Sequence, residues 1–151
     1  MAAEKPKINY KQVKAFAEQV YGELGGAMSS AMIWLGDDLG IYRQMQNAGS
    51  MTSQELADKL QLSERWIREW LHGQAASGYV TYHGDGQFEL TTEAALVLAE
   101  ESSPAFSAGG LSHLPQLLGH VLLQIPKAFK TGRGLTYDEL GPEAARGVER
   151  F

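Results

Sequence analysis

No cysteine occurs among the 151 residues, which excludes disulfides, thiolate nucleophiles and cysteine metal sites and fits a reducing, cytoplasmic setting. Positive charge is also scarce. Thirteen Lys and Arg stand against eighteen Asp and Glu, a formal net charge of −5, which disfavours nonspecific affinity for nucleic acid or anionic lipid. Long hydrophobic runs are lacking as well. Of the two stretches without formal charge, 24–36 is too short to cross a bilayer, and 102–126 carries Ser, Gly, His, Gln and three prolines, too polar for a spanning helix. No membrane partner is expected, and the 102–126 run is predicted to be buried in protein. The first seven residues have charge but no apolar core, so they resemble neither a signal peptide nor an anchor. Residues 1–8 are expected to form a disordered tail.

What is present is enough apolar material, 44%, to fill the core of one domain. Val13, Phe16, Ala17, Val20 and Leu24 recur at helical spacing. Gly25 and Gly26 are expected to break or bend the chain before a second helix over 27–45. There Met28, Met32, Leu35, Leu39 and Tyr42 form one stripe, while Ile33, Trp34, Ile41 and Met45 fall on other sides. A helix apolar on several faces needs cover on several faces. Gly22, Gly26 and Ser30 recur every fourth position and admit a second backbone if the helix runs through the glycines. Residues 9–46 therefore read as an N-terminal helical arm. Two readings stay open: packing within the chain, or a homodimer with interlocked arms, which the exposed-patch argument favours.

Residues 50–101 read as a winged helix-turn-helix. Thr52 and Glu55 spell a capping box ahead of a short helix over 53–60. Ser63 caps a second helix over 64–76, with Trp66, Ile67, Trp70, Leu71 and Ala75 expected inward. Gly78 ends it in the left-handed conformation. Strands are predicted over 79–82 and 87–90 around His83-Gly84-Asp85-Gly86, then a helix capped by Thr91 or Thr92 and running to Ala99. Yet this unit holds nine acids against Lys59, Arg65 and Arg68. A reading helix needs Arg, Lys, Asn or Gln toward base edges and a surround that neutralises phosphates. The helix over 64–76 offers a nearly balanced set instead, and the wing tip offers Asp85, so DNA is not the expected partner.

Residues 102–151 read as a helical segment. Pro115 suits the first turn of a helix reaching about Gln124, Pro126 is expected to interrupt or restart it, and another helix begins near Glu143. The overall expectation is a mainly α fold with a small β-wing.

Chemistry-bearing residues are sparse. His113 and His120, seven apart, would share a face about 10.5 Å apart along one helix, too far to ligate one metal ion together, and no HExxH string occurs. The plain reading is two imidazoles satisfied in a packed interior; the functional one is that both line a small-molecule pocket, where an imidazole can orient a hydroxyl or take its proton. Tyr137, with Asp138 and Glu139, is a weaker candidate whose plain reading is a solvated loop. Lys127, Lys130 and Arg133 could grip an anion, although charge placement at a helix C-terminus explains two of them. No G-x-S-x-G elbow is present, and the G-x-G pairs at 84/86 and 132/134 do not extend to a nucleotide cradle.

The run GELGGAMSSAMIWLGDDLGIYRQM, followed by MTSQELADKL, SERWIREWLHGQAASGYV, FELTTEAALVLAEESSP and FKTGRGLTYDEL, resembles the N-terminal winged-helix domain of a bacterial group of class I S-adenosylmethionine-dependent methyltransferases. REWL, AASGYV and LGDDLG in that order and separation carry most of the likeness. The resemblance implies a noncatalytic domain for dimerisation and for roofing a substrate cavity, with the methyl donor held in a separate Rossmann-like domain. That domain would begin near Phe151, so no cofactor-binding residue is expected within this chain, and residues 102–151 are expected to lead toward it. His113, His120 and Tyr137 are then substrate-pocket candidates facing a small-molecule acceptor. The rival expectations are a free-standing winged-helix regulator binding DNA or a small ligand, and an interaction remnant pairing with a separate methyltransferase chain.

Overall fold

The computed structural model describes residues 7–136 and 139. Helix α1 (Tyr10–Asp38) runs for 29 residues without interruption, straight through Gly25 and Gly26, where a break was expected. Two glycines each cost about 1 kcal/mol relative to alanine in a helix interior, but glycine in the middle of a long helix weakens it without stopping it. The stop comes at Gly40, whose φ of 69° opens a short helix α2 (Ile41–Met45). Arg43 closes that corner. Its guanidinium donates to the Asp37 carbonyl at 2.9 Å and to the Asp37 carboxylate at 3.3 Å, satisfying one of the carbonyls a helix end leaves over. The same side chain reaches Glu101 at 3.4 Å.

The helix-turn-helix follows as expected. Strand β1 (Met51–Thr52) leads into α3 (Ser53–Leu60), where Thr52 and Glu55 form the capping box. The Thr52 amide, then its hydroxyl, holds the Glu55 carboxyl below its ordinary range. Gln61, in the left-handed conformation at φ 55°, makes the turn into α4 (Glu64–Ala76). After α4 the Gly78 amide bonds the Ala75 carbonyl and the Tyr79 amide bonds the Gln74 carbonyl, a Schellman closure around Gly78 at φ 80°. This closure holds Tyr79 and Val80 in the helix cap, so β2 runs Thr81–Gly84 rather than 79–82. Asp85 and Gly86, both at positive φ, make the hairpin turn into β3 (Gln87–Glu89). The sheet order is β1-β3-β2, all antiparallel, with Met51 opposite Phe88. A two-residue strand leaves no periodic signal, and β1 is unanticipated for that reason. Helix α5 (Thr92–Leu98) is capped by Thr91.

One core unites these elements: Ile33 from α1, Ile41, Tyr42 and Met45 from α2, Leu56 from α3, Ile67, Trp70 and Leu71 from α4, and Phe88 from the wing. Beyond α5 a 3₁₀ turn (Ala108–Leu111) packs on α1. Helix α6 (Leu114–Gln116), a π turn (Leu117–Val121) and α7 (Leu122–Thr131) then form one irregular helical rod. Pro115 takes the first turn of this rod as expected. Pro126 does not interrupt it; α7 passes through the proline, and the departure from α-helical register lies one turn upstream, in the π turn. Most of the uncharged 102–126 run is not buried in this chain. Ala108, Gly109 and Val121 are covered, whereas Leu117, Leu118, Leu122 and Leu123 are exposed. The helix expected from Glu143 lies outside the described residues.

Candidate functional site

Two surfaces stand out, and both start from α1. Residues 10–28 of this helix are exposed at every position, a free arm of nineteen residues and about 28 Å. Its large apolar side chains, Tyr10, Val13, Phe16, Val20, Tyr21, Leu24 and Met28, all face solvent. Asn9 caps the arm through the Lys11 and Gln12 amides. The inner end of the same helix is bolted to the core: Gly36 lies against Trp70 and Tyr42 so closely that a Cβ there would overlap both rings. The Trp70 indole N–H donates to the Met32 carbonyl at 2.9 Å.

Where the arm enters the core, an apolar groove of about 540 Å³ opens between α1 and α4. Met32, Leu35 and Leu39 form its α1 wall, Ile41 and Leu62 its ends, and Ile67 and Trp70 its α4 wall. Ser63 and Glu69 contribute the polar side chains of the lining. Trp66 stands on its rim, 73% exposed, and not inward as the sequence led us to expect. The inner face of α4 is centred on Ile67, Trp70, Leu71 and Gln74, and at 100° per residue Trp66 lies about 90° off that centre.

Beneath the groove the Tyr42 hydroxyl donates to the Gln74 side-chain carbonyl, both groups fully buried, while Gln74 Nε2 has no partner among the described residues. Burial foremost, then Tyr79 and Asp37, pushes the Tyr42 phenol up from its ordinary 10.0. Sequence patterning gave no sign of this pair, because glutamine at an inward helical position looks like an isolated exception.

The helix-turn-helix surface carries little positive charge. On α4, Arg68 lies 3.8 Å from Glu64 and Glu69 is exposed beside it. His72 packs edge-on against Tyr82 and Phe88 of the wing, and His83 bonds Glu89 across the hairpin at 2.7 Å.

The histidine candidates do not converge. His113 sits at the start of α6, partly buried, with Nδ1 covered and unpartnered among the described residues. His120 is exposed in the π turn with its Nε2 2.7 Å from Gln124 Nε2. That turn lies between them, so the seven-residue stacking of a plain α-helix does not apply. Neither lines the apolar groove or the second cleft, of about 430 Å³, between Gln124 and Glu139. Lys127 and Arg133 do line that cleft, facing Glu139 and Thr136, whose mutual hydrogen bonds repeat the capping-box pattern. Tyr137 lies outside the described residues. Among those residues no three His, Asp or Glu side chains are placed to hold a metal ion, and no helix is long and apolar enough to cross a membrane.

Residues 27–100 match the Rv2258c-like winged HTH domain family, a span running from the root of the arm to the end of α5. Among solved structures, the mitomycin 7-O-methyltransferase MmcR is similar over 94% of this chain and 44% of its own, at 23% identity and a TM-score of 0.71. RosA from Streptomyces davawensis, an N,N-8-amino-8-demethyl-D-riboflavin dimethyltransferase, covers 89% and 42% at 17% identity and 0.65. Human N-acetylserotonin methyltransferase, solved with SAM, covers 100% and 43% at 15% identity and 0.63. At such identities the likeness is one of fold. The chain spans less than half the length of these structures. No curated protein gave a significant match.

Proposed function

With an Rv2258c-like winged HTH domain over residues 27–100 as the premise, we propose that this chain is the noncatalytic winged-helix part of a small-molecule S-adenosylmethionine-dependent methyltransferase, acting in dimerisation and in covering the acceptor. The observation that carries this reading is the arm: nineteen helical residues with an apolar stripe, exposed at every position, rooted in a winged helix with little phosphate-binding charge. Three exposed glycines, Gly22, Gly25 and Gly26, make the arm a poor helix by itself. Fully burying each large apolar side chain contributes about 1.5 to 3 kcal/mol, so a partner that covers the stripe stabilises both the arm and the assembly. Methyltransferases share the fold, and several were solved with SAM or SAH.

Among the described residues Gly84 and Gly86 lie in the hairpin turn rather than between a strand and a helix, so they do not form the glycine-rich loop that would hold the adenosyl part of the methyl donor. The role left for these residues is to orient an acceptor and exclude water, which accelerates a bimolecular transfer by holding the reactants together. His113, partly buried at the start of α6, His120 and Tyr137 are the candidate contacts to an acceptor hydroxyl. A cytoplasmic setting fits the absence of cysteine.

Sedimentation velocity and calorimetry test the reading together. The chain is expected to sediment at twice its 16.5 kDa and to give no saturable heat with S-adenosylmethionine. A strict monomer removes the dimerisation role, and a saturable isotherm shows that the donor site is here after all.

A further inference from the structure

The groove between α1 and α4 has the make-up of a small-molecule site that neither the arm nor the histidine candidates account for. Its floor, Ile41, Ile67 and Trp70, is buried, and Met32, Leu35 and Leu62 of its walls are half-buried. The Trp70 indole N–H already donates to the Met32 carbonyl at 2.9 Å, so what this ring offers a ligand is apolar surface. The floor is also fixed, because Gly36 sets α1 directly against Trp70 and Tyr42, and a preformed groove binds without first having to be ordered. Its volume of about 540 Å³ suits a compact organic molecule.

The mouth supplies the specificity. Ser63 stands in the capping position of α4, yet its hydroxyl makes no cap bond, and exposed Glu69 forms no ion pair among the described residues. Trp66 lies three residues from each, so the three are neighbours along the helix surface, with the indole open to solvent. The charge in the lining is that of Glu69, and Asp38, exposed beside Leu39, adds the same sign on the α1 side. A carboxylate next to a tryptophan face attracts a cation through both its charge and the ring quadrupole, and it repels a carboxylate or a phosphate. The excess of acids over bases in the winged unit extends this preference beyond the mouth, since a negative field raises the local concentration of cations.

From this arrangement we propose that the groove binds a small hydrophobic ammonium compound, an arylalkylamine whose apolar body lies on Ile41, Ile67 and Trp70 and whose charge sits at the mouth between Glu69 and the Trp66 ring. The site is separate from His113 and His120, neither of which lines the groove, and it stands independently of the methyltransferase reading. Its walls come from α1 and α4, so an occupant bridges the root of the arm to the second helix of the helix-turn-helix and stabilises the fold by mass action.

Calorimetry with three probes of one shape and different charge gives the test: naphthylmethylamine, a cation at neutral pH, naphthylmethanol and naphthylacetate. The amine is expected to saturate one site per chain and to raise Tm with its concentration. The alcohol should bind about two- to fivefold more weakly, as an exposed ion pair and a cation–π contact allow, and the acetate should give no saturable heat. Glu69→Gln is expected to weaken the amine about two- to fivefold and to leave the alcohol unchanged, whereas Glu93→Gln, which removes an exposed acid from α5, should alter neither. Trp66→Ala should weaken the amine more than the alcohol. Glu69 and Trp66 are both exposed, so these variants are expected to keep the parent melting profile. Equal affinity for amine and alcohol overturns the recognition of charge. Amine binding that survives both Glu69→Gln and Trp66→Ala lies elsewhere on the chain and overturns the site. An absence of saturable heat from all three probes also overturns it, and a sedimenting dimer whose tryptophan emission resists acrylamide quenching then identifies a second copy as the occupant.

Discussion

At the scale of single residues, stability concentrates where α1, α2 and α4 meet. Gly36→Ala places a methyl group into Trp70 and Tyr42, and overpacking of this kind costs about 1 to 3 kcal/mol, which thermal denaturation would register as a lowered Tm. Tyr42→Phe leaves the Gln74 carbonyl buried without its donor, at a cost of about 1 to 3 kcal/mol; Gln74→Met in the same chain is expected to recover part of it. The Tyr42 phenol also makes the fold sensitive to alkali. Its pKa is raised on folding, so the neutral form is favoured in the native state. The associated stability is complete below the unfolded value of 10.0 and is lost as pH climbs beyond it. Denaturant midpoints measured from pH 8 to 11 should fall for the parent chain at the alkaline end and fall less for Tyr42→Phe. None of this was legible beforehand. Tyr42 reads from the sequence as one more stripe residue and Gln74 as a polar residue on a helix; only the packing brings them together.

Elements were legible to the extent that their ends are written in local chemistry. The capping box at Thr52, the left-handed Gly78 and the turn at Asp85-Gly86 place α3, α4 and the hairpin where the sequence puts them, since each signal satisfies its own backbone groups within a few residues. The failures share the opposite property. Gly25-Gly26 does not end α1, because a glycine pair weakens a helix while only a positive-φ exit such as Gly40 terminates it. The start of β2 is displaced by hydrogen bonds from Tyr79 and Val80 back to Gln74. Trp66 points outward because a side chain 90° off the buried centre takes whichever environment its neighbours leave open. The arm supplies an element-scale prediction. With three glycines and every position from 10 to 28 exposed, the arm of the proposed dimer should depend on association, so dilution should reduce the helical circular dichroism signal while near-ultraviolet signals from the Trp70 environment persist. A helical signal independent of concentration would show an arm that supports itself.

For the molecule as a whole, the fold class was readable because helix period, turn residues and strand alternation agree with one another. The candidate site was less so. His113 and His120 were paired on the assumption of an unbroken α-helix, and a π turn is invisible to a pattern of period 3.6. The groove is assembled from two stretches of chain, Met32 to Ile41 and Leu62 to Trp70, whose juxtaposition no local pattern encodes. The acidic balance leads to one prediction for the intact chain. With Arg68 beside Glu64 and Asp85 at the wing tip, fluorescence anisotropy with random duplex DNA should show no retention at about 150 mM salt and at most weak, steeply salt-dependent binding below it. Tight binding that survives high salt would favour a regulator instead.

The unbroken passage of α1 from free arm into packed core means that no joint separates reach from anchorage. A loosely tethered segment must give up its orientational freedom at the moment of encounter. Here Gly36 wedged against Trp70 sets the heading of the helix at its root, so whatever length of the arm is helical leaves the core along one line, and a partner of the kind proposed would order the tip without having to aim it. The same continuity would carry a tilt imposed near that root into the winged unit.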